Sequence, residues 1–115
     1  MKTVGQLLAS HCREMRGPAM GDSEISAQLS VLDGWTFAGD AITKTYRFKN
    51  YYETLAFVNA LAWMIHREDH HPDLRVGYSQ CEVRYSTHSV NGISENDFIS
   101  AAKADAIFSN EYPAT

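Results

Sequence analysis

Four of the five histidines in this 115-residue chain lie between positions 66 and 88. His70 and His71 stand directly before Pro72, and His88 follows about one hairpin later. The imidazole group has an unperturbed pKa of about 6.5, so it can both accept and donate a proton near neutral pH. Two or three imidazoles that converge would form a site for general acid and base catalysis, which typically contributes about 10²–10⁴-fold to a rate.

Few other side chains in the sequence compete for that role. Cys81 falls on the apolar positions of a strand pattern, where an inert core thiol is expected. The sequence contains neither a Gly-x-Ser-x-Gly nucleophile elbow nor a glycine-rich phosphate loop. Zinc is the main alternative, because His66 and His70 are four residues apart on one helix face and His88 could be a third ligand. Pro72 frays the helix at that point, so we expect no metal site.

Hydrophobic periodicity predicts the elements that must position the histidines. A first helix is expected after Asp22 or Ser23, either of which can accept a hydrogen bond from an orphan backbone N–H, and it should end at 33–34. A hairpin of two strands follows at 35–37 and 42–48, where β-branched and aromatic residues alternate with polar ones.

The longest helix is expected at 52–69, where apolar residues recur at helical spacing. Its inner stripe is predicted to consist of Leu55, Val58, Ala62, Ile65 and His66. On this stripe His66 would be a packed core histidine. Pro72 disfavours the helical conformation in the residue before it and cannot donate a backbone hydrogen bond, so the helix must end near His71.

The remaining elements are a second hairpin, with strands at 74–78 and 81–85, and a final helix at 94–109. The resulting order is α-β-β-α-β-β-α. Hairpins separated by helices indicate an α+β fold, here a four-stranded antiparallel sheet with helices packed on one face. The other face, or an exposed edge strand, would then need a partner, and homo-oligomerisation is the expected answer.

This topology brings distant residues together. Because the second hairpin runs out and back, His88 should return to the end of the sheet where His70 and His71 lie. Asp97, in the first turn of the final helix, could reach the same corner. Each residue also has a structural alternative: His70 could stabilise a helix C-terminus, and Asp97 stands at capping-box spacing from Ser94. Taken singly the structural roles are favoured, whereas the convergence favours catalysis.

The length fits one domain, expected at 22–110, with a flexible leader at 1–21 and a tail at 111–115. The two cysteines, Cys12 and Cys81, provide no disulfide framework, which indicates a reducing compartment. The start of the chain is too broken for a signal peptide, and no apolar run is long enough to span a membrane. We therefore expect a cytoplasmic protein.

The overall charge excludes some partners. The formal net charge is −4, so the chain has no general basic field. Nucleic acid and anionic membrane surfaces are accordingly not expected as partners.

Several residues at fixed distances resemble the signature of the pterin-4a-carbinolamine dehydratases. They are His70-His71-Pro72, Tyr78, Thr87-His88, Gly92 and Asp97. The similarity continues through Trp35, the Phe48-Lys49 step and the final helix, and it covers about residues 23–108. It implies an α+β fold that assembles as homodimers or homotetramers. It also implies dehydration of 4a-hydroxytetrahydropterin to quinonoid dihydropterin, in pterin cofactor recycling, with no metal or bound cofactor.

The resemblance also implies roles for individual residues. The acid–base and pterin-contacting residues would be His70, His71 and His88. The residues that line the substrate pocket would be Asp69, Ser86, Thr87 and Ser89. Asp97 would lie in the same pocket and orient or tune a histidine.

An alternative function and two departures accompany the resemblance. Proteins of this fold also act as non-catalytic binding partners, such as dimerisation cofactors or assembly factors, and loss of the histidines would favour that role. The histidines are retained here. Many members carry Glu where this chain has His66. The leader containing His11-Cys12 resembles one in bacterial members, but Met15 replaces a second cysteine often found there.

Overall fold

The computed structural model describes residues 1–111, in which four antiparallel strands form one sheet in the order β1-β2-β4-β3. The strands are β1 (Thr36–Ala38), β2 (Ala41–Arg47), β3 (Asp73–Val76) and β4 (Gln80–Tyr85). The two hairpins pair through their second strands, with Ile42 opposite Tyr85. β1 and β3 are therefore the edges. The predicted third strand extended to Tyr78, but pairing ends at Val76.

Four α-helices accompany the sheet within the described residues. They are α1 (Val4–Ala9), α2 (Asp22–Leu29), α3 (Tyr51–Glu68) and α4 (Glu95–Glu111), and a short 3₁₀ helix spans His88–Val90. The predicted α+β class with its four-stranded antiparallel sheet is confirmed. Apart from residue 111, the tail predicted at 111–115 lies outside the described residues.

The core lies between one face of the sheet and the two long helices. Cys81, Val83 and Tyr85 alternate along β4 and are fully buried, as the strand pattern predicts. They pack in one cluster with side chains from α3 and α4, including Phe57 and Phe98. Full burial of one such side chain contributes about 1.5–3 kcal/mol, so this cluster fixes how the helices lie on the sheet.

The predicted inner stripe of α3 is wrong in part, because Val58 and Ile65 pack half-buried against the core but the other three positions are exposed. The buried positions are Thr54, Phe57, Leu61, Met64 and Glu68. His66, predicted as a core histidine, is exposed, and Leu55 is 36% exposed. The two faces are hard to separate because apolar residues occupy both.

The leader differs from the flexible segment expected at 1–21. Thr3 caps α1 by accepting a hydrogen bond from the Gln6 N–H, and the Gln6 side-chain oxygen accepts one from the Thr3 N–H. Leu7 is fully buried in the core cluster. Six residues carry too weak a periodic pattern to predict a helix, and packing against α4 supplies the stability that the sequence pattern does not.

None of the helices in residues 1–111 combines the length and apolar character that crossing a membrane requires.

Candidate active site

The C-terminus of α3 delivers His70 to the sheet. Asp69 adopts the left-handed conformation, with φ 50° and ψ 42°, and its N–H bonds to the Ile65 carbonyl. Asp is one of the few non-glycine residues that adopt this conformation readily. The resulting reversal places the His70 ring parallel to the Tyr85 ring, with centroids 5.5 Å apart and an angle of 11°. Only 12% of the His70 side chain is exposed, so the ring is held firmly.

His70 pairs with a buried carboxylate. Its Nε2 atom lies 2.6 Å from Oδ1 of Asp97, which is completely buried. The other carboxylate oxygen of Asp97 accepts hydrogen bonds from the Thr87 hydroxyl at 2.8 Å and from the Ser94 N–H at 3.0 Å. Asp97 therefore makes both contacts considered for it, with Ser94 at the start of α4 and with the ring of a histidine.

A cleft of about 430 Å³ opens beside this pair. Predicted site residues on its walls are Asp69, His70, Thr87, His88 and Ser89. His88 begins the 3₁₀ helix directly after β4, so the second hairpin brings it to the His70 end of the sheet, as its topology predicts. The cleft thus holds two imidazoles on separate elements, one packed and one exposed.

Three predicted residues lie outside the lining of this cleft: the completely buried Asp97, and the exposed His71 and Ser86. The His71 side chain is 71% exposed, and its Nε2 atom lies 3.9 Å from Oδ1 of Asp69. Ser86 is also exposed. Both are close in sequence to residues of the cleft, but alternation along an extended chain turns neighbouring side chains to opposite sides. Their roles in substrate binding and catalysis remain predictions.

One wall of the cleft was not expected from the sequence. It is contributed by the leader and comprises Cys12, Arg13, Glu14 and Met15. This segment is anchored on Glu68, whose Oε1 atom accepts a hydrogen bond from the Cys12 N–H at 2.7 Å. The Lys103 ammonium and the His11 ring contact the other oxygen at 2.7 and 3.0 Å. The signal for this anchor was Glu68 itself, since a carboxylate in register with the buried residues of a helix requires partners.

Two pKa shifts accompany the anchor. Burial disfavours the charged form of Glu68, but the hydrogen bonds from Lys103, Cys12 and His11 outweigh it and lower the pKa to about 2. Burial raises the pKa of the Cys12 thiol to about 11. Glu68 is therefore a structural anion at neutral pH, and Cys12 is a poor nucleophile.

The cleft residues do not suggest a metal centre. No group of three or more His, Cys, Asp or Glu side chains within residues 1–111 has the arrangement of a metal site. His66, considered above as a zinc ligand with His70, is exposed and is not part of the cleft lining.

The sequence matches a family that shares these features. The family model described as pterin 4 alpha carbinolamine dehydratase matches residues 18–107. A relative from Nitrosospira multiformis, named as a candidate pterin-4-alpha-carbinolamine dehydratase, is 51% identical over 108 residues. That match covers 92% of this chain and 96% of the relative. A relative of the same name from Bdellovibrio bacteriovorus is 56% identical over 98 residues, or 82% of each chain.

Solved structures share the fold. The crystal structure of a transcriptional coactivator/pterin dehydratase from Brucella melitensis matches with a TM-score of 0.74 and 34% identity. It covers 77% of this chain and 97% of that one. A pterin dehydratase-like protein identified as a RuBisCO assembly factor matches with a TM-score of 0.58 and 24% identity, which supports the fold alone.

Together the fold and the cleft define a small α+β protein with a buried aspartate–histidine pair beside a second histidine. The extent of the sequence match then makes the assignment specific. This chain belongs to the pterin 4 alpha carbinolamine dehydratase family.

Proposed function

We propose that this protein is a hydro-lyase that dehydrates 4a-hydroxytetrahydropterin to quinonoid dihydropterin, in the recycling of a pterin cofactor. The observation that carries the proposal is the pair of imidazoles on one cleft, with His70 oriented by Asp97 at 2.6 Å and His88 on the adjoining wall. Family membership supports the choice of a pterin as substrate.

The reaction requires two proton transfers. A base removes the proton from N5 of the pterin, and an acid protonates the hydroxyl group on C4a, which leaves as water while a double bond forms between N5 and C4a. His70 and His88 supply these two transfers. Asp97 as a carboxylate accepts from Nε2–H of His70, which fixes the tautomer and leaves Nδ1 as the nitrogen that faces the chemistry.

The remaining predicted residues either support the histidine–aspartate pair or bind the substrate. Thr87 is buried against Asp97 and holds the carboxylate in place, whereas Asp69 and Ser89 offer polar atoms on the cleft wall. His71 and Ser86 are exposed beside the cleft and would contact a substrate that extends past its rim. No metal or bound cofactor takes part in this proposal.

We also propose that the chain forms a homodimer or homotetramer in the cytoplasm. The outer face of α3 carries Tyr52, Leu55 and Trp63, which are 80%, 36% and 71% exposed. No charged residue occurs in the helix from position 54 to position 65. A helix that is apolar on both faces is expected to be covered on both. The two cysteines are free, as expected in a reducing compartment.

Stopped-flow measurement of water loss from freshly generated 4a-hydroxytetrahydropterin tests the proposed reaction. We expect the wild-type protein to accelerate this step and His88→Ala to abolish most of the acceleration while remaining folded. Absence of acceleration by the wild-type protein would exclude the dehydratase activity. The alternative function, a non-catalytic binding or assembly role, would then use the same apolar face of α3.

A further inference from the structure

The leader forms one wall of the cleft that holds His70 and His88, although the family match begins only at residue 18. We define the leader wall as residues 12–15. These residues precede the segment that the family model matches, but they lie within the part of the chain shared with relatives that match 92% of it. The wall either only covers the cleft or also contacts the substrate.

The leader wall is fastened by its main chain. The Asn96 side chain bonds to Arg13 twice, accepting from its N–H at 3.1 Å and donating to its carbonyl at 2.6 Å. The Ser89 hydroxyl donates to the Met15 carbonyl at 2.9 Å, and Glu68 holds the Cys12 N–H. Because these anchors use backbone atoms of the leader, they do not occupy the side chains of Arg13, Glu14 and Met15.

The anchors are also neighbours of the catalytic pair in the chain. Glu68 precedes His70 by two residues, and Asn96 directly precedes Asp97. Asn96 is 5% exposed and the Glu68 side chain 4%, so both are rigid parts of the fold. The leader wall therefore stands at a fixed position relative to His70 and Asp97, as a substrate-contacting surface requires.

The charges of the leader wall suit a pterin. The Arg13 side chain is 61% exposed and 3.7 Å from Glu95, and the Glu14 side chain is 74% exposed and pairs with Arg16. Exposed ion pairs are weak, so either group can exchange its partner for a ligand. The pyrimidine edge of a pterin presents N–H donors at N2 and N3 and an acceptor at O4. A carboxylate and a guanidinium complement these groups.

We propose that the side chains of Arg13, Glu14 and Met15 form a substrate-contacting wall that determines pterin affinity. This inference rests on the dehydratase function proposed above. The wall contributes no imidazole, so it acts in binding, and the proton transfers stay with the two histidines.

The test compares steady-state dehydration by the wild-type protein with a triple variant, Arg13→Ala/Glu14→Ala/Met15→Ala. We expect KM to rise about tenfold with kcat within about twofold of wild type, and affinity for the stable analogue 7,8-dihydrobiopterin, measured by titration calorimetry, to fall in parallel. Lys49→Ala is the control. It removes an exposed charge outside the cleft lining and should leave both values unchanged.

The outcomes separate the two proposals. If the wild type turns over the pterin and the triple variant has the same KM as the wild type, the leader wall only covers the cleft. This inference is then overturned, while the dehydratase proposal stands. A fall in kcat at unchanged KM also overturns it. If the wild type shows no turnover, the dehydratase proposal fails and takes this inference with it. Should the triple variant melt below the wild type, Arg13→Gln/Glu14→Gln, which keeps side-chain length, must show the same rise in KM.

Discussion

Nε2 of His70 and Oδ1 of Asp97 lie 2.6 Å apart, although 27 residues separate them in the chain. The pair joins the end of α3 to the start of α4 and is almost completely removed from solvent. Charge-assisted hydrogen bonds of this length are strong and directional, so Asp97 fixes the orientation of the imidazole.

Replacing this carboxylate tests the orienting role. In Asp97→Asn the shape is kept, but the amide no longer supplies a charged acceptor to the ring. We expect kcat to fall about 10²-fold with a circular dichroism spectrum like that of the wild type. Asp22→Asn removes an exposed carboxylate from the first turn of α2, outside the cleft lining, and is the control for losing a charge at a helix start. Wild-type kcat in Asp97→Asn would contradict the role.

Single alanine substitutions rank the histidines. His70→Ala and His88→Ala should each reduce kcat by about 10²-fold or more, since each removes an imidazole from the cleft. His71→Ala should cost about tenfold or less, because the His71 side chain is 71% exposed and outside the cleft lining. Rapid-mixing kinetics on all three variants provide the comparison. A larger loss for His71→Ala than for His70→Ala would reverse the order of importance.

Glu68 makes stability depend on pH. Its folded-state pKa of about 2 lies below the ordinary value of 4.5, so its contribution is present above about pH 4.5 and is lost as the pH falls toward 2. Glu68→Gln should lower the free energy of unfolding at pH 7 by about 1–3 kcal/mol, because Lys103 and the Cys12 N–H lose a charged partner.

Urea denaturation at pH 7 and at pH 3 measures this effect. The difference between wild type and Glu68→Gln should shrink at pH 3. The matched control is Glu82→Gln on the other face of the sheet, which should differ little from wild type at either pH. An equal deficit of Glu68→Gln at both pH values would show that shape, rather than charge, explains the loss.

Gly92 allows the leader to approach the loop before α4. A Cβ atom at this position would lie 2.7 Å from the Cβ of Ala19, and the Met20 N–H beside it bonds to the Ile93 carbonyl. Gly92→Ala should therefore destabilise the fold by about 1–3 kcal/mol through overpacking.

A second substitution isolates that contact. Ala19→Gly removes the opposing methyl group, so the double variant should recover most of the stability lost by Gly92→Ala, which thermal melts of the four proteins can measure. Gly5→Ala in α1 serves as a control, because a methyl group there meets nothing closer than 3.9 Å. If the stability losses of the two single variants instead add up in the double variant, the contact between residues 19 and 92 is not the source of the strain.

The outer face of α3 makes a prediction about assembly. Trp63→Glu places a charge on the apolar surface that we propose is covered in a homodimer or homotetramer. Light scattering coupled to size exclusion should show a smaller assembly for this variant than for the wild type. Ser26→Glu adds the same charge on the exposed surface of α2 and should not change the mass. If the wild-type protein is a monomer, the proposed homodimer or homotetramer is excluded.

The hairpin patterns and the helix-ending Pro72 were sufficient to predict the sheet and the convergence of His70, His88 and Asp97. The alternation of apolar and polar residues in β4 is unambiguous, because only the residues on one face of the strand are apolar. The inner face of α3 was not predictable by the same reasoning, because both faces are apolar and hydrophobic period alone does not choose between them. Helix α1 was missed because six residues provide less than two turns of pattern.

The sequence by itself determined the family, the α+β architecture and the residues that could carry acid–base chemistry, because residue type and local periodicity are properties of the chain. Only the tertiary structure decided that Asp97 contacts both a helix start and His70, that His71 is exposed, and that Glu68 fastens the leader to the cleft. These facts depend on contacts between residues far apart in the chain. Burial then determines which polar groups must find partners and which remain exposed to solvent.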